Sequence, residues 1–301
     1  MKTRRPALPP LPLPGPRRAG HARAVAAFSS APSAPAGGTM EFRVSAPSGA
    51  ACSVAVRRIG TPVPTPAVRF VGEEQGGRSV AWVRVAAADV PDVPGDQGFG
   101  MVPDPLADGV GVPLTWCDWE PSLLLDIPES WPPGLYVARF SVEAPLLSVV
   151  ALRGRSAHVP FVVRGPLAAG FPALVILPFA AYAAANPWPA AQAQRARAVS
   201  LDRPFAGDGL PGAFAADAAF VEPLADTDFA TSLDVHGGLV DPSAYRKVLF
   251  RADLWSRAMR TAIAKASLGG TDVGGLDGVP PATIDFVPGP DGRRDRVLIR
   301  Y

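Results

Sequence analysis

Lysine is almost absent from this chain: Lys2, Lys247 and Lys265 stand alone among 29 basic residues. With 36 prolines and 30 glycines beside abundant alanine, that preference for arginine fits the coding bias of a GC-rich genome and has no functional weight of its own. Cysteine is nearly missing too. Cys52 and Cys117 cannot build a disulfide scaffold or a four-ligand zinc site. They read as buried free thiols, with one bridge open to them in an oxidising compartment. Excess charge is lacking, and a net charge of +2 argues against nucleic acid or a membrane surface as partner. No apolar run approaches the roughly 18 residues of a membrane-spanning helix. Cytoplasm is the default location.

What is present suits a globular protein. A chain of 301 residues, 48% apolar and 19% charged, has room for about two domains. Arg4-Arg5 would fit a twin-arginine signal, but the PALPPLPLPGPRR that follows is broken by proline. The run from Ala24 to Phe28 is shorter than the roughly 7 apolar residues a secretory signal requires. Residues 1–38 read as a disordered Pro/Ala/Arg leader.

Residues 39–165 alternate with period two in short β-prone runs separated by Pro/Gly clusters, which predicts an antiparallel, immunoglobulin-like β-sandwich. Strands are expected at 40–45, 52–57, 80–86, 123–127, 135–142, 147–152 and 158–163. A long irregular loop is expected at 89–113, and Trp116, Trp119 and Trp131 are expected to fill the core between sheets.

After Gly165-Pro166 the pattern becomes that of an α/β domain, residues 166–301. The continuous apolar run 173–179 predicts a strand buried on both faces of a parallel sheet. A short helix at 180–185 and strands at 198–201, 245–250 and 296–301 complete the layer. The clearest helix spans about 254–267, with Trp255, Met259, Ile263 and Ala266 on one face and Gly269-Gly270 at its end.

The ordered wording of several segments carries a family likeness. AVRRIG (55–60), the stretch 117–140 and SAHVPFVVR (156–164) come first. LVILPF (174–179), NPW (186–188), AVSLDRPF (198–205), SLDVH (232–236), YRKVLF (245–250), LWSRAMR (254–260) and the tail 286–301 follow. In this order they resemble the large (β) subunit of N,N-dimethylformamidase. The resemblance implies a sandwich followed by an α/β domain similar to class I glutamine amidotransferases. It also implies hydrolysis of a small amide by a mononuclear iron held by two tyrosines and a glutamate. Such hard oxygen ligands suit a Lewis-acidic ion. A homo-oligomer or a small partner subunit is implied as well.

The ligand positions have changed. Ala185 stands where the family has its first tyrosine, and Phe205 where Arg-Pro-Tyr supplies the second. The family's His-Asp-Glu-Tyr-Trp-Ser becomes Arg251-Ala252-Asp253-Leu254-Trp255-Ser256, and its Gly-Gly-x-Ser becomes Pro189-Ala190-Ala191-Gln192. Tyr182 and Asp253 are the substitute metal ligands, although Asp253 also suits an N-cap of the following helix. Asp202 and Arg203 either meet substrate or brace a turn before Pro204. His236, beside Asp234, is an acid/base candidate, while His158 reads as structural. Asn186, Trp188 and Phe205 are the expected substrate contacts. Between Phe205 and Asp234 the chain is shorter than the family, which puts a strand-helix unit and the folding of the layer in question. Residues 207–212 formally match a dinucleotide fingerprint, but Pro211 interrupts it and no strand precedes it, so a flexible loop is expected. Gly-x-Ser-x-Gly, His-Glu-x-x-His and P-loop motifs are absent.

The leading expectation is a dimethylformamidase-like protein whose iron site and amide hydrolysis are impaired or lost. The alternative is a non-catalytic binding protein using its sandwich or the cleft between domains.

Overall fold

The computed structural model describes residues 25–60, 68–73, 75, 78–83, 112–142, 155–166, 170–188, 198–251, 254–274, 281–289 and 293–300. The N-terminal half contains β1 (Ala26–Ser29), β2 (Ser33–Pro35), β3 (Thr39–Ser45), β4 (Ala51–Arg58), β5 (Val68–Val71), β6 (Arg78–Val83), β7 (Val112–Trp116), β8 (Leu123–Asp126), β9 (Gly134–Val142) and β10 (Ser156–Arg164). A three-stranded sheet, β1-β3-β8, faces a five-stranded sheet, β2-β10-β9-β4-β5, and β6 pairs with β7. All these pairings are antiparallel except β2 with β10.

Period two sets the sandwich core. Phe42 of β3, Cys52, Val54 and Val56 of β4, Tyr136 and Phe140 of β9, and Phe161 of β10 point inward together. Trp131 stacks on Tyr136 at 5.0 Å within that core. Trp119 does not join it: with Phe28, Cys117 and Trp188 it forms a separate buried cluster. Part of the expected leader is ordered. Residues 25–38 hold β1 and β2, because the apolar side chains of Ala26, Ala27 and Phe28 suffice for an edge strand on β3. The expected strand at 147–152, and all of the 89–113 loop except its last two residues, lie outside the described residues.

The C-terminal half holds β11 (Ala173–Leu177), α1 (Phe179–Ala185), β12 (Ala198–Ser200), α2 (Phe214–Val221), β13 (Thr227–Thr231), α3 (Ser232–His236), β14 (Lys247–Phe250), α4 (Arg257–Leu268), β15 (Asp272–Gly274), β16 (Ile284–Val287) and β17 (Val297–Arg300). A parallel sheet runs β13-β11-β14-β15. As a doubly covered strand requires, β11 sends Leu174 and Ile176 toward Met259 and Ile263 of α4, and Val175 and Leu177 to the opposite face. β12 is not part of this layer. It pairs antiparallel with β17 in a second sheet, β12-β17-β16, whose core packs on Ala180 and Ala184 of α1.

The segment between Phe205 and Asp234 contains both α2 and β13, so the strand-helix unit is present in compact form. α4 starts later than its apolar pattern suggests. Its N-cap is Ser256, whose hydroxyl accepts the Met259 N–H. No described helix is long and apolar enough to cross a membrane.

The two halves share a core. The outward residues Leu135 and Val137 of β9 and Val162 of β10 pack against Val175, Leu177, Phe214, Val221 and Phe229. The β9–β10 part of the five-stranded sheet is therefore buried on both faces, and it fixes where α1 and α2 sit.

Candidate functional site

Parallel α/β sheets leave a crevice beyond the C-terminal ends of their strands. Here that crevice is a cleft of about 900 Å³. Pro178 follows β11, Arg251 follows β14, and α1, α2 and residues 205–213 close the sides. Alanine makes the space: Ala181, Ala184 and Ala185 present only methyl groups from α1.

Three side chains converge in it. Tyr182, on α1, donates its hydroxyl to Asp217 Oδ2 at 2.5 Å. Arg251 donates Nε to Asp217 Oδ1 at 2.8 Å, and its guanidinium lies 4.9 Å from the Phe220 ring centroid. Asp217 is 2% exposed, so these two donors substitute for the water it lacks. Burial, then the hydrogen bond to Asp217, pushes the Tyr182 phenol well above the usual tyrosine range. It is a hydrogen-bond donor at neutral pH, not a phenolate. Phe205 meets Tyr182 edge-on at 6.4 Å.

Of the residues expected from sequence, Tyr182, Asn186 and Phe205 line this cleft. Asn186 is also a turn staple: Nδ2 donates to Pro204 O, while Oδ1 accepts from the Trp188 and Ala206 N–H groups. Trp188 lies in the Phe28 cluster instead. Asp202 is buried and ion-paired with Arg293 at 2.7 Å and Arg296 at 2.6 Å. Arg203 donates to the carbonyls of Ser200, Trp188, Ala183 and Asn186, and burial pulls its pKa down to about 10. Both side chains are thus taken up by partners within the protein.

His236 and Asp234 are not partners. Asp234 closes the capping box of α3 with Thr231 and accepts the Ser33 hydroxyl at 2.5 Å. His236 Nδ1 lies 2.8 Å from Ser256 Oγ, and burial holds its pKa below the ordinary range. Asp253 lies outside the described residues. His158 sits on β10, as a structural residue would, with its Nδ1 3.0 Å from Asp208 O.

Sequence reasoning missed Asp217. Its signal was available: it is the single charge in the apolar octet FAADAAFV of α2, where an unpaired carboxylate would be too costly to bury. Arg251 was noted only as a lost histidine.

Residues 106–277 match the family described as N,N-dimethylformamidase beta subunit-like, C-terminal. The chain belongs to that family. No curated protein matches it. Among solved structures, a family 123 glycoside hydrolase from Clostridium perfringens, studied for glycolipid glycan hydrolysis, aligns at 10% identity. The alignment covers 86% of this chain and 37% of that one with a TM-score of 0.16, too low to support any inference.

In this dimethylformamidase-like chain, the described cleft offers a cation one phenol and one carboxylate. Both oxygens are already engaged with each other, and a guanidinium stands 2.8 Å from the carboxylate. Among the described residues, no three His, Cys, Asp or Glu side chains cluster as a metal site would need.

Proposed function

We propose that this protein is a dimethylformamidase-beta-like family member in which the cleft has exchanged iron-dependent amide hydrolysis for binding of a small polar molecule. The observation that carries this reading is the Arg251–Asp217 pair. A permanent cation fixed on the cleft's buried carboxylate opposes a metal ion by like-charge repulsion and occupies the oxygen the metal would take. The losses at Ala185 and Phe205 support the same reading, since each removes a phenol oxygen the family uses. Among the described residues the donor set does not suit iron, and no reaction step is assigned to it. The cleft itself persists, with Tyr182, Asp217 and Arg251 as its polar cluster.

The likeness of the parallel layer to class I glutamine amidotransferases belongs to the same proposal, as do self-association or a small partner subunit and a cytoplasmic location. The test is elemental analysis of the purified full chain together with assays on small N-substituted amides. We expect substoichiometric iron and no turnover. Stoichiometric iron accompanied by hydrolysis would overturn the reading.

A further inference from the structure

Among the described residues lining the cleft, the charged ones are Asp217, Arg251 and Arg300. The excess is one positive charge. Arg300 donates to Ala184 O and is half-buried, and Arg251 keeps a side-chain exposure of 35%. Arg251 reaches Asp217 through Nε alone, which leaves its two terminal nitrogens for a second acceptor. A guanidinium presents those nitrogens as a planar fork matched to a carboxylate. The larger apolar side chains of the lining are Phe205, Leu210 and Leu254.

We propose that the cleft binds a small organic carboxylate. Its oxygens lie on the terminal nitrogens of Arg251, and its carbon skeleton lies against Phe205, Leu210 and Leu254. This rests on reading the cleft as a metal-free binding site. A monoanion neutralises the excess charge. A dianion such as a phosphate ester overshoots it and meets the Asp217 carboxylate, which already shares the guanidinium. A neutral amide leaves the fork without a counter-charge in a partly dry site.

Titration calorimetry on the full-length protein at low salt tests this with benzoate, benzamide and phenyl phosphate. Benzoate is expected to bind saturably at one site, and the other two at least tenfold more weakly. Arg251→Gln is expected to lower benzoate affinity at least tenfold. If that variant proves unfolded by circular dichroism, Asp217→Asn decides the matter. It raises the excess charge, so benzoate should bind it at least as tightly as the parent. Benzamide matching benzoate, unchanged affinity in a folded Arg251→Gln, weaker binding to Asp217→Asn, or no benzoate binding each overturns the proposal. Iron content, measured on the same preparation, separates the two readings. Iron-free protein that ignores benzoate overturns the carboxylate alone. Iron with amide turnover overturns the proposed function and the inference resting on it.

Discussion

At the residue scale, two buried charges are held by different kinds of partner, and each gives a distinct expectation. Asp217 accepts from a phenol and a guanidinium. Asparagine in its place keeps one acceptor oxygen and turns an N–H₂ toward the other donor. Asp217→Asn should therefore destabilise the fold by about 2 kcal/mol, discounted for the partial exposure of Arg251. The midpoint of urea unfolding measures it, and a change within error would mean that the cluster does not hold α2 in place. Arg203 is held by four carbonyls and no carboxylate, a geometry that needs the spread of a guanidinium. An ammonium is a point donor, so Arg203→Lys should lose about 2 kcal/mol or more although charge is conserved.

At the element scale, the loop at residues 206–212 has a specific task. β10 is an edge strand beyond the reach of β2, which covers only Val162 to Arg164. At Pro160 no N–H needs a partner, and at His158 the N–H donates to Asp208 O at 2.8 Å. The loop thus closes the exposed end of the strand rather than flexing over it. Gly209 makes that approach possible: its φ is +90°, and a Cβ there would lie 2.1 Å from His158 O. Gly207 has a φ of +68° but open space around it. Gly207→Ala should cost only about 1 kcal/mol of backbone strain, whereas Gly209→Ala should exceed that severalfold by lifting the loop off β10. Thermal unfolding of the two variants compares them directly, and equal losses would contradict the packed-loop account.

The same loop marks where sequence stops being legible. Alternation located β3, β4, β9 and β10 closely, and the apolar run located β11, because burial on one or both faces leaves a pattern in the order of residues. The packing of residues 206–212 on β10 leaves none, being a contact across 50 positions of chain. The pairing of β12 with β17 and the meeting of Tyr182, Asp217 and Arg251 are long-range in the same way. Ala185 and Phe205 carried the expectation of an altered site, while Asp217 of the observed cluster sits on α2, a helix without a clear apolar stripe.

At the scale of the whole molecule, the shared core joins the halves, and polar ties reinforce it. Ser33 donates to Asp234, and the Gly165 N–H donates to Asp228 at 2.7 Å. Among the described residues there are three phenols, Tyr136, Tyr182 and Tyr245, and burial raises the pKa of each above the ordinary range. The sign follows. The folded state retains protons that the unfolded chain releases above about pH 10, so stability is complete below that pH and falls as pH rises. Phenolate absorbance from these residues should therefore appear together with unfolding in an alkaline titration, not before it.

The thiols report on the same unity from two places. Cys52 lies in the sandwich core, and Cys117 lies with Phe28, Trp119 and Trp188, where residues from both halves of the chain meet. Both are buried, and desolvation pushes the Cys117 thiol far from thiolate formation. Because the thiolate is the reactive species, neither should react with a disulfide reagent at pH 8 in the native protein. If the shared core makes the halves one cooperative unit, both thiols become reactive at a single denaturant midpoint, coincident with the loss of circular dichroism. Labelling of Cys117 at lower denaturant than Cys52 would mean that the interface opens first. In that case Leu135, Val137 and Val162 would be surface that the sandwich can expose without unfolding, and the cleft beyond β11 would lose its support before the sandwich did.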